Sequence, residues 1–200
     1  MGGRQWRSAP AREKAQLRRQ VLDKRARLSG NDLERVAESL SDVLLAVPEV
    51  GRAAVVAAYL GVGSEPGTRP LLNELHRRDI QVLLPVMRKD YDLDWAVYDL
   101  ADTFAPGPLG VREPTGQRLG LTAVSSADAV LVPGVAADRT GLRLGRGGGC
   151  YDRVLPRLAP EAFSCVLLHD GEVMDTPLPR EPHDQSVRAA ATPSGLLRFS

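Results

Sequence analysis

Arg143, Arg146 and Arg153 stand among Gly145, Gly147, Gly148 and Gly149, and Asp152 follows them, within the stretch PGVAADRTGLRLGRGGGCYDRVLPRL (133–158). Arginine carries a permanent charge and can grip a phosphate through two N–H groups at once. Closely spaced glycines let backbone N–H groups converge on an anion, and a helix N-terminus strengthens the cradle. These residue types in this order predict a phosphate site. The segment leaves an apolar run, Ala129 to Val132, that reads as a buried strand, and enters what reads as a helix with Asp152 at its entrance. The span between shows no periodicity, and a connection of that length in a compact domain usually serves a function.

Two familiar phosphate motifs are excluded. The Walker pattern needs a Gly-Lys pair, and the chain has none. A dinucleotide fingerprint begun at Gly145 and Gly147 needs a third glycine where Cys150 stands. What remains is an arginine–glycine interleaving, RLGRGGG, beside a carboxylate.

The elements that must position this stretch alternate along the chain. Ala11–Leu28 predicts a helix with Leu17, Val21 and Leu28 at helical spacing and a strongly basic opposite face. By itself that face reads as solvated surface. Ser29-Gly30-Asn31 ends it and caps a second helix, Asp32–Ala46. Ala53–Leu60 reads as a buried strand, followed by the turn GVGSEPGT, a helix from Thr68 or Arg69 to His76, and a strand over Ile80–Pro85. This order is a βαβ unit with a right-handed crossover. Leu93–Val97 alternates as a half-exposed strand, and 101–125 reads as a loop crossing a sheet edge. Phe163–Leu168 and Val187–Ala191 supply later strands. The fold expected is a single α/β domain over 11–200, after a disordered leader at 1–10. It has a mostly parallel sheet flanked by helices in Rossmann-like layering, with two N-terminal helices. In such sheets ligands bind beyond the carboxyl ends of strands, so the turns after Leu60 and Val132 are expected to face one cleft.

Composition narrows the function classes. The chain has 200 residues, a formal charge of +1 and 4% aromatics, which disfavours a general nucleic-acid binder or a base-stacking platform. Cys150 and Cys165 supply neither a disulfide framework nor a metal cluster. MGGRQWRSAP lacks the apolar core of a secretory signal, and no uncharged apolar run is long enough to span a bilayer. A soluble, cytoplasmic protein with no membrane or nucleic-acid partner is expected.

The string PGVAADRTGLRLGRGGGCYDRVL resembles the signature of the 5-formyltetrahydrofolate cyclo-ligase (5,10-methenyltetrahydrofolate synthetase) family, P-G-x-[AG]-F-D-x-x-G-x-R-L-G-x-G-x-G-Y-Y-D. KAQLRRQVLDKRARLS is similar to the family's first helix, YLGVGSEPGT to its strand–turn, and LPREPHDQSV to its late proline-containing segment. The resemblance implies an ATP- and Mg2+-dependent ligase. It would convert 5-formyltetrahydrofolate to 5,10-methenyltetrahydrofolate, ADP and phosphate through a phosphorylated formyl intermediate, acting as a monomer.

Residue by residue, the resemblance implies that Lys14 and Arg18, four apart on one helical face, reach the ATP phosphates. Arg143, Leu144, Gly145, Arg146, Gly147, Gly148, Gly149, Cys150 and Tyr151 form the ATP segment, with Arg143 and Arg146 as the catalytic charges. Leu60 and Glu65, with Arg146, Gly147, Gly148, Gly149 and Cys150, would contact the folate, and Asp152 and Asp184 would hold the magnesium. Read without the resemblance, Asp152 is a helix-start carboxylate, Asp184 an Asx turn and Glu65 a solvated turn residue. The chain departs from the family at Ala137 and Cys150, where an aromatic and a tyrosine are usual, and at Arg188, where many members are acidic. An aromatic lost at 137 is expected to reshape the folate pocket. Cys150, beside arginines and a helix start, is expected to have a lowered thiol pKa. These departures keep open a folate- or nucleotide-binding homologue without turnover, and the basic first helix keeps open RNA binding.

Overall fold

The computed structural model describes residues 9–101 and 104–199. The first helix, α1, runs Ala9–Arg25. Ala9 and Pro10 therefore belong to a helix and not to a leader, while positions 1–8 of that expected leader lie outside the described residues. Ser29 caps α2 (Gly30–Leu45), accepting from the Asp32 amide while the Asp32 carboxylate returns to the Ser29 amide. A short α3, Pro48–Gly51, leads to β1 (Val55–Ala57). Then come α4 (Arg69–Arg77), β2 (Gln81–Met87) and β3 (Leu93–Val97).

The region 101–125, expected as loop, holds a small antiparallel hairpin of β4 (Phe104–Pro106) and β5 (Arg112–Pro114). After β6 (Ala129–Pro133) come β7 (Ala136–Asp138), β8 (Arg143–Leu144), α5 (Cys150–Val154) and β9 (Phe163–Leu167). The chain closes with β10 (Val173–Met174), β11 (Ala189–Thr192) and β12 (Gly195–Arg198).

The main sheet has the order β12-β11-β9-β6-β1-β2-β3. Its five inner strands are parallel, and both edge strands run antiparallel to their neighbours. Successive residues serve opposite faces. Val56, Val82, Ala129, Leu131 and Cys165 pack with Leu40, Leu44, Leu71, Leu72 and Leu75 of α2 and α4. Ala57, Leu83, Val130, Val132 and Val166 pack on the other side with Val124 and with Val154 of α5. Burial of both faces explains the near-continuous apolar strand runs in the sequence.

Leu93 and Trp95 of β3 join that second cluster and are buried. Asp94 is half-buried between them, as a half-exposed strand requires, and the alternation fails only at the end, where Ala96 is buried and Val97 exposed. The sheet's direction of growth reverses between β1 and β6: β2 lies on one side of β1 and β6 on the other. The turns after Leu60 and after Pro133 open at that point.

Candidate active site

A second, three-stranded sheet in the order β10-β7-β8 gives the segment after Pro133 its rigidity. Asp138 holds its turn together. Its Oδ1 accepts from the amide and hydroxyl of Thr140 and from the Leu142 amide, and its Oδ2 accepts from the Leu178 amide at 2.8 Å. Burial pushes this carboxyl up, but these donors outweigh it and hold it below the ordinary aspartate range. Arg143 on β8 and Asp152 on α5 are thereby fixed on either side of the glycine loop. Gly149, the residue before α5, has φ +67°, and Gly147 has φ +103°, so both sit in backbone that side chains disfavour.

The loop faces a cavity of about 560 Å3 at the sheet's reversal point. Lys14, Arg18, Leu60, Glu65, Arg143, Leu144, Gly145, Arg146, Gly147, Gly148, Gly149, Cys150, Tyr151, Asp152 and Asp184 all line it. The residues expected to bind phosphate, folate or metal therefore meet at one place. The volume suits a drug-sized organic ligand.

Four ion pairs organise the walls. Lys14 Nζ lies 2.5 Å from Asp184 Oδ2 and 3.0 Å from Glu181 Oε2. Arg143 Nη2 lies 2.9 Å from Asp152 Oδ1, and Arg146 Nε lies 2.9 Å from Glu65 Oε1. Arg18 on α1 donates from Nε to Gly145 O at 2.6 Å, tying helix to loop. The Gln185 amide donates to Asp152 Oδ1 at 3.3 Å, which brings the segment bearing Asp184 beside α5. Asp184 is raised by burial but lowered by more through Lys14 and the Glu181 amide, so it stays ionised at neutral pH.

The basic face of α1 is in part an inner face. Lys14, Val21 and Arg25 are buried, and with Arg18 they fall at helical spacing on one side. Arg25 is 2% exposed, donates to both carboxylate oxygens of Glu172, and donates to Gly134 O at 2.8 Å. A charge run alone does not distinguish this from a solvated face.

Cys150 lines the cavity, yet its thiol is shifted upward. Partial burial is the largest influence, and Arg153 and Arg143 do not offset it. The expected lowering is corrected accordingly. Burial likewise pushes Tyr151 up and keeps it a neutral phenol, and its hydroxyl has no protein partner among the described residues. The Nε of Arg143 is also buried without a partner among the described residues.

Ala137 and Arg188 do not line the cavity. Ala137 is buried on β7 opposite Val173, and the Arg188 side chain donates to Pro160 O at the surface. Ala137 thus stands outside the cavity wall.

Sequence reasoning missed one wall: Leu84, Pro85 and Met87 of β2, Leu93 of β3, and Val111–Pro114 at the hairpin. The Met87 amide donates to Glu113 Oε1 at 2.8 Å, holding that hairpin against the sheet. It also missed Glu181 and His183, which with Asp184 place ligand atoms within 4.8 Å of one another. Their signal was legible as E-x-H-D in the late proline-rich segment.

The sequence model of the 5-formyltetrahydrofolate cyclo-ligase family matches residues 10–193. The chain belongs to that family. It is 39% identical over 187 residues to the 5-formyltetrahydrofolate cyclo-ligase of Mycolicibacterium smegmatis, covering 91% of this chain and 94% of that protein. It is 28% identical over 186 residues to the cyclo-ligase of Escherichia coli K12, covering 90% and 100%. The solution structure of Aquifex aeolicus 5,10-methenyltetrahydrofolate synthetase superposes with a TM-score of 0.79 at 30% identity, covering 93% of this chain and 92% of that one. The expectations of an α/β cyclo-ligase fold and of a ligase of this family are met. Among the described residues no helix is long and apolar enough to cross a membrane.

Proposed function

We propose that this chain cyclises 5-formyltetrahydrofolate to 5,10-methenyltetrahydrofolate in an ATP- and Mg2+-dependent reaction. The observation that carries the proposal is the cavity itself. It sets an arginine–glycine phosphate cradle, two carboxylates and the Glu65 turn around one volume. The γ-phosphoryl group of ATP passes to the formyl oxygen, N10 attacks the activated carbon, and the C–O bond breaks to release phosphate with closure of the ring. Arg143 and Arg146 would neutralise charge spreading over the transferred group, assisted by loop N–H groups. Lys14 and Arg18 would hold the other phosphates.

Asp152 and Asp184 suit magnesium by donor type, since it takes hard oxygen ligands and completes its shell with phosphates and water. When bound, it would supply positive charge that offsets the charge of the phosphates. Glu65 would accept from the pterin N–H groups, with Leu60 packing beside it. Arg146 would leave Glu65 for the phosphate as substrate takes its place.

We also propose that residues 11–200 act as one domain, because the main sheet draws strands from Val55 through Arg198. A cytoplasmic monomer without nucleic-acid or membrane partners accords with this reading. RNA binding through α1 loses support because Lys14 and Arg25 are buried. The binding-only alternative retains Cys150 as its motive, since Ala137 lies off the cavity.

The test is the growth of the long-wavelength absorbance of methenyltetrahydrofolate when protein, ATP, magnesium and 5-formyltetrahydrofolate are mixed. Absence of ATP-dependent product at high protein concentration overturns turnover. Tight calorimetric binding without product favours the binding homologue.

A further inference from the structure

The turn after β1 carries Glu65, and two side chains reach it from elsewhere in the fold. On the cavity side Arg146 pairs with Glu65. His169, just beyond β9 and outside the cavity lining, places Nε2 3.0 Å from Ser64 O. A carbonyl oxygen only accepts, so Nε2 carries the proton. His169 is 7% exposed, and its own position is secured. The His169 amide donates to Glu172 Oε2 at 2.8 Å, and Glu172 is held by both guanidinium donors of the buried Arg25. Arg25 in turn donates to Gly134 O at the end of β6. A Cβ on Gly134 would come within 2.4 Å of Val166 Cγ2, so the exit of β6 is packed directly on β9. The chain of contacts runs from α1 through Glu172 and His169 to the Glu65 turn.

We infer that His169 is a positioning residue for the substrate side of the cavity, bracing Ser64 so that Glu65 keeps its place when Arg146 lets go. The inference rests on the proposed assignment of Glu65 to the folate. The turn has internal bonds, Thr68 Oγ1 to Tyr59 O at 2.6 Å and the Val62 amide to Glu65 Oε2 at 3.1 Å, which set its shape. They do not fix it relative to β9. The His169 contact does, and it leaves the phosphate loop untouched.

The experiment compares His169→Phe, which keeps a ring but loses the donor, with His169→Gln, whose amide N–H can reach where Nε2 was. Loss of one well-made hydrogen bond is expected to raise KM for 5-formyltetrahydrofolate about tenfold in His169→Phe. KM for ATP should stay within about twofold, and His169→Gln should restore most of the loss. Amide hydrogen exchange at residues 61–68, read without ligands, should be faster in His169→Phe and near wild type in His169→Gln. If His169→Phe does not fold, His169→Asn, whose amide is too short to reach Ser64, takes its place. Equal rises in both KM values, no rescue by glutamine, or unchanged exchange at 61–68 each overturns the inference. Wild-type protein that forms no methenyl product overturns the functional reading instead, and the ligand-free exchange result still decides whether the brace exists.

Discussion

Arg143 and Arg146 are three residues apart and both pair with a carboxylate at 2.9 Å, yet they occupy different physical worlds. The Arg143 side chain is 3% exposed, on a strand, with its partner at the start of α5; the Arg146 side chain is 50% exposed, on the glycine loop, with its partner on another turn. Burial pulls the Arg143 guanidinium below its usual range, with Asp152 opposing that effect. A charge so placed is fixed in direction and supplies a standing field. Arg146 stays near solvent and can exchange partners at small cost. The loop thus combines one immovable cation with one movable cation.

Substitutions can break this contrast. Arg143→Met should have the largest effect, because it leaves the Asp152 carboxylate without its buried partner. A stability loss of about 3–5 kcal/mol is expected, together with loss of turnover, read by urea unfolding and the methenyl assay. Adding Asp152→Leu should recover part of the stability and none of the activity. Arg146→Ala should lower kcat about 100- to 1000-fold and cost about 1–2 kcal/mol, less than Arg143→Met, because the Glu65 carboxylate it strands still accepts from the Val62 amide. A melting loss as large as that of Arg143→Met would show the two arginines to be alike.

Gly149→Ala sharpens the same point at the joint between them. At φ +67° it should cost about 1–2 kcal/mol and raise KM for ATP, measured by unfolding and by initial rates.

The smallest effect is expected from acid. Asp138 and Asp184 have folded pKa values held below the ordinary 3.8, so the stability they add is complete above that value. It is lost as pH falls through their folded values. Tm should be level from pH 7 to about pH 5 and then decline, with a shallower slope in Asp138→Asn. A slope unchanged by that substitution would remove Asp138 from the account.

The fold was legible because buried parallel strands write themselves as apolar runs and α2 and α4 as amphipathic repeats. The cradle was legible because arginines interleaved with glycines are hard to explain as a simple turn. What stayed hidden depends on distant residues. β7, β8 and β10 are two or three residues long, too short for a period to show, and they exist because Asp138 and the strand pairings meet in space. Cys150 sits among arginines in sequence, which suggests an acidic thiol; its depth reverses that, and depth is a tertiary quantity. Arg25 reads as one more surface charge until Glu172, 147 residues away, is placed against it.

The order of the main sheet also bears on how the chain assembles. β1 lies within it, β2 and β3 add on one side, and β6, β9, β11 and β12 then add in succession on the other. No strand must be inserted between two that already pair, so a chain emerging from its N-terminus can extend the sheet at its margins alone. Until β6 arrives, one edge of β1 is open to wrong partners, which makes the first hundred residues the stretch most in need of protection. The candidate-site cavity follows another schedule. Lys14 meets Asp184 across 170 residues, so the site closes only after nearly the whole sheet has been laid down.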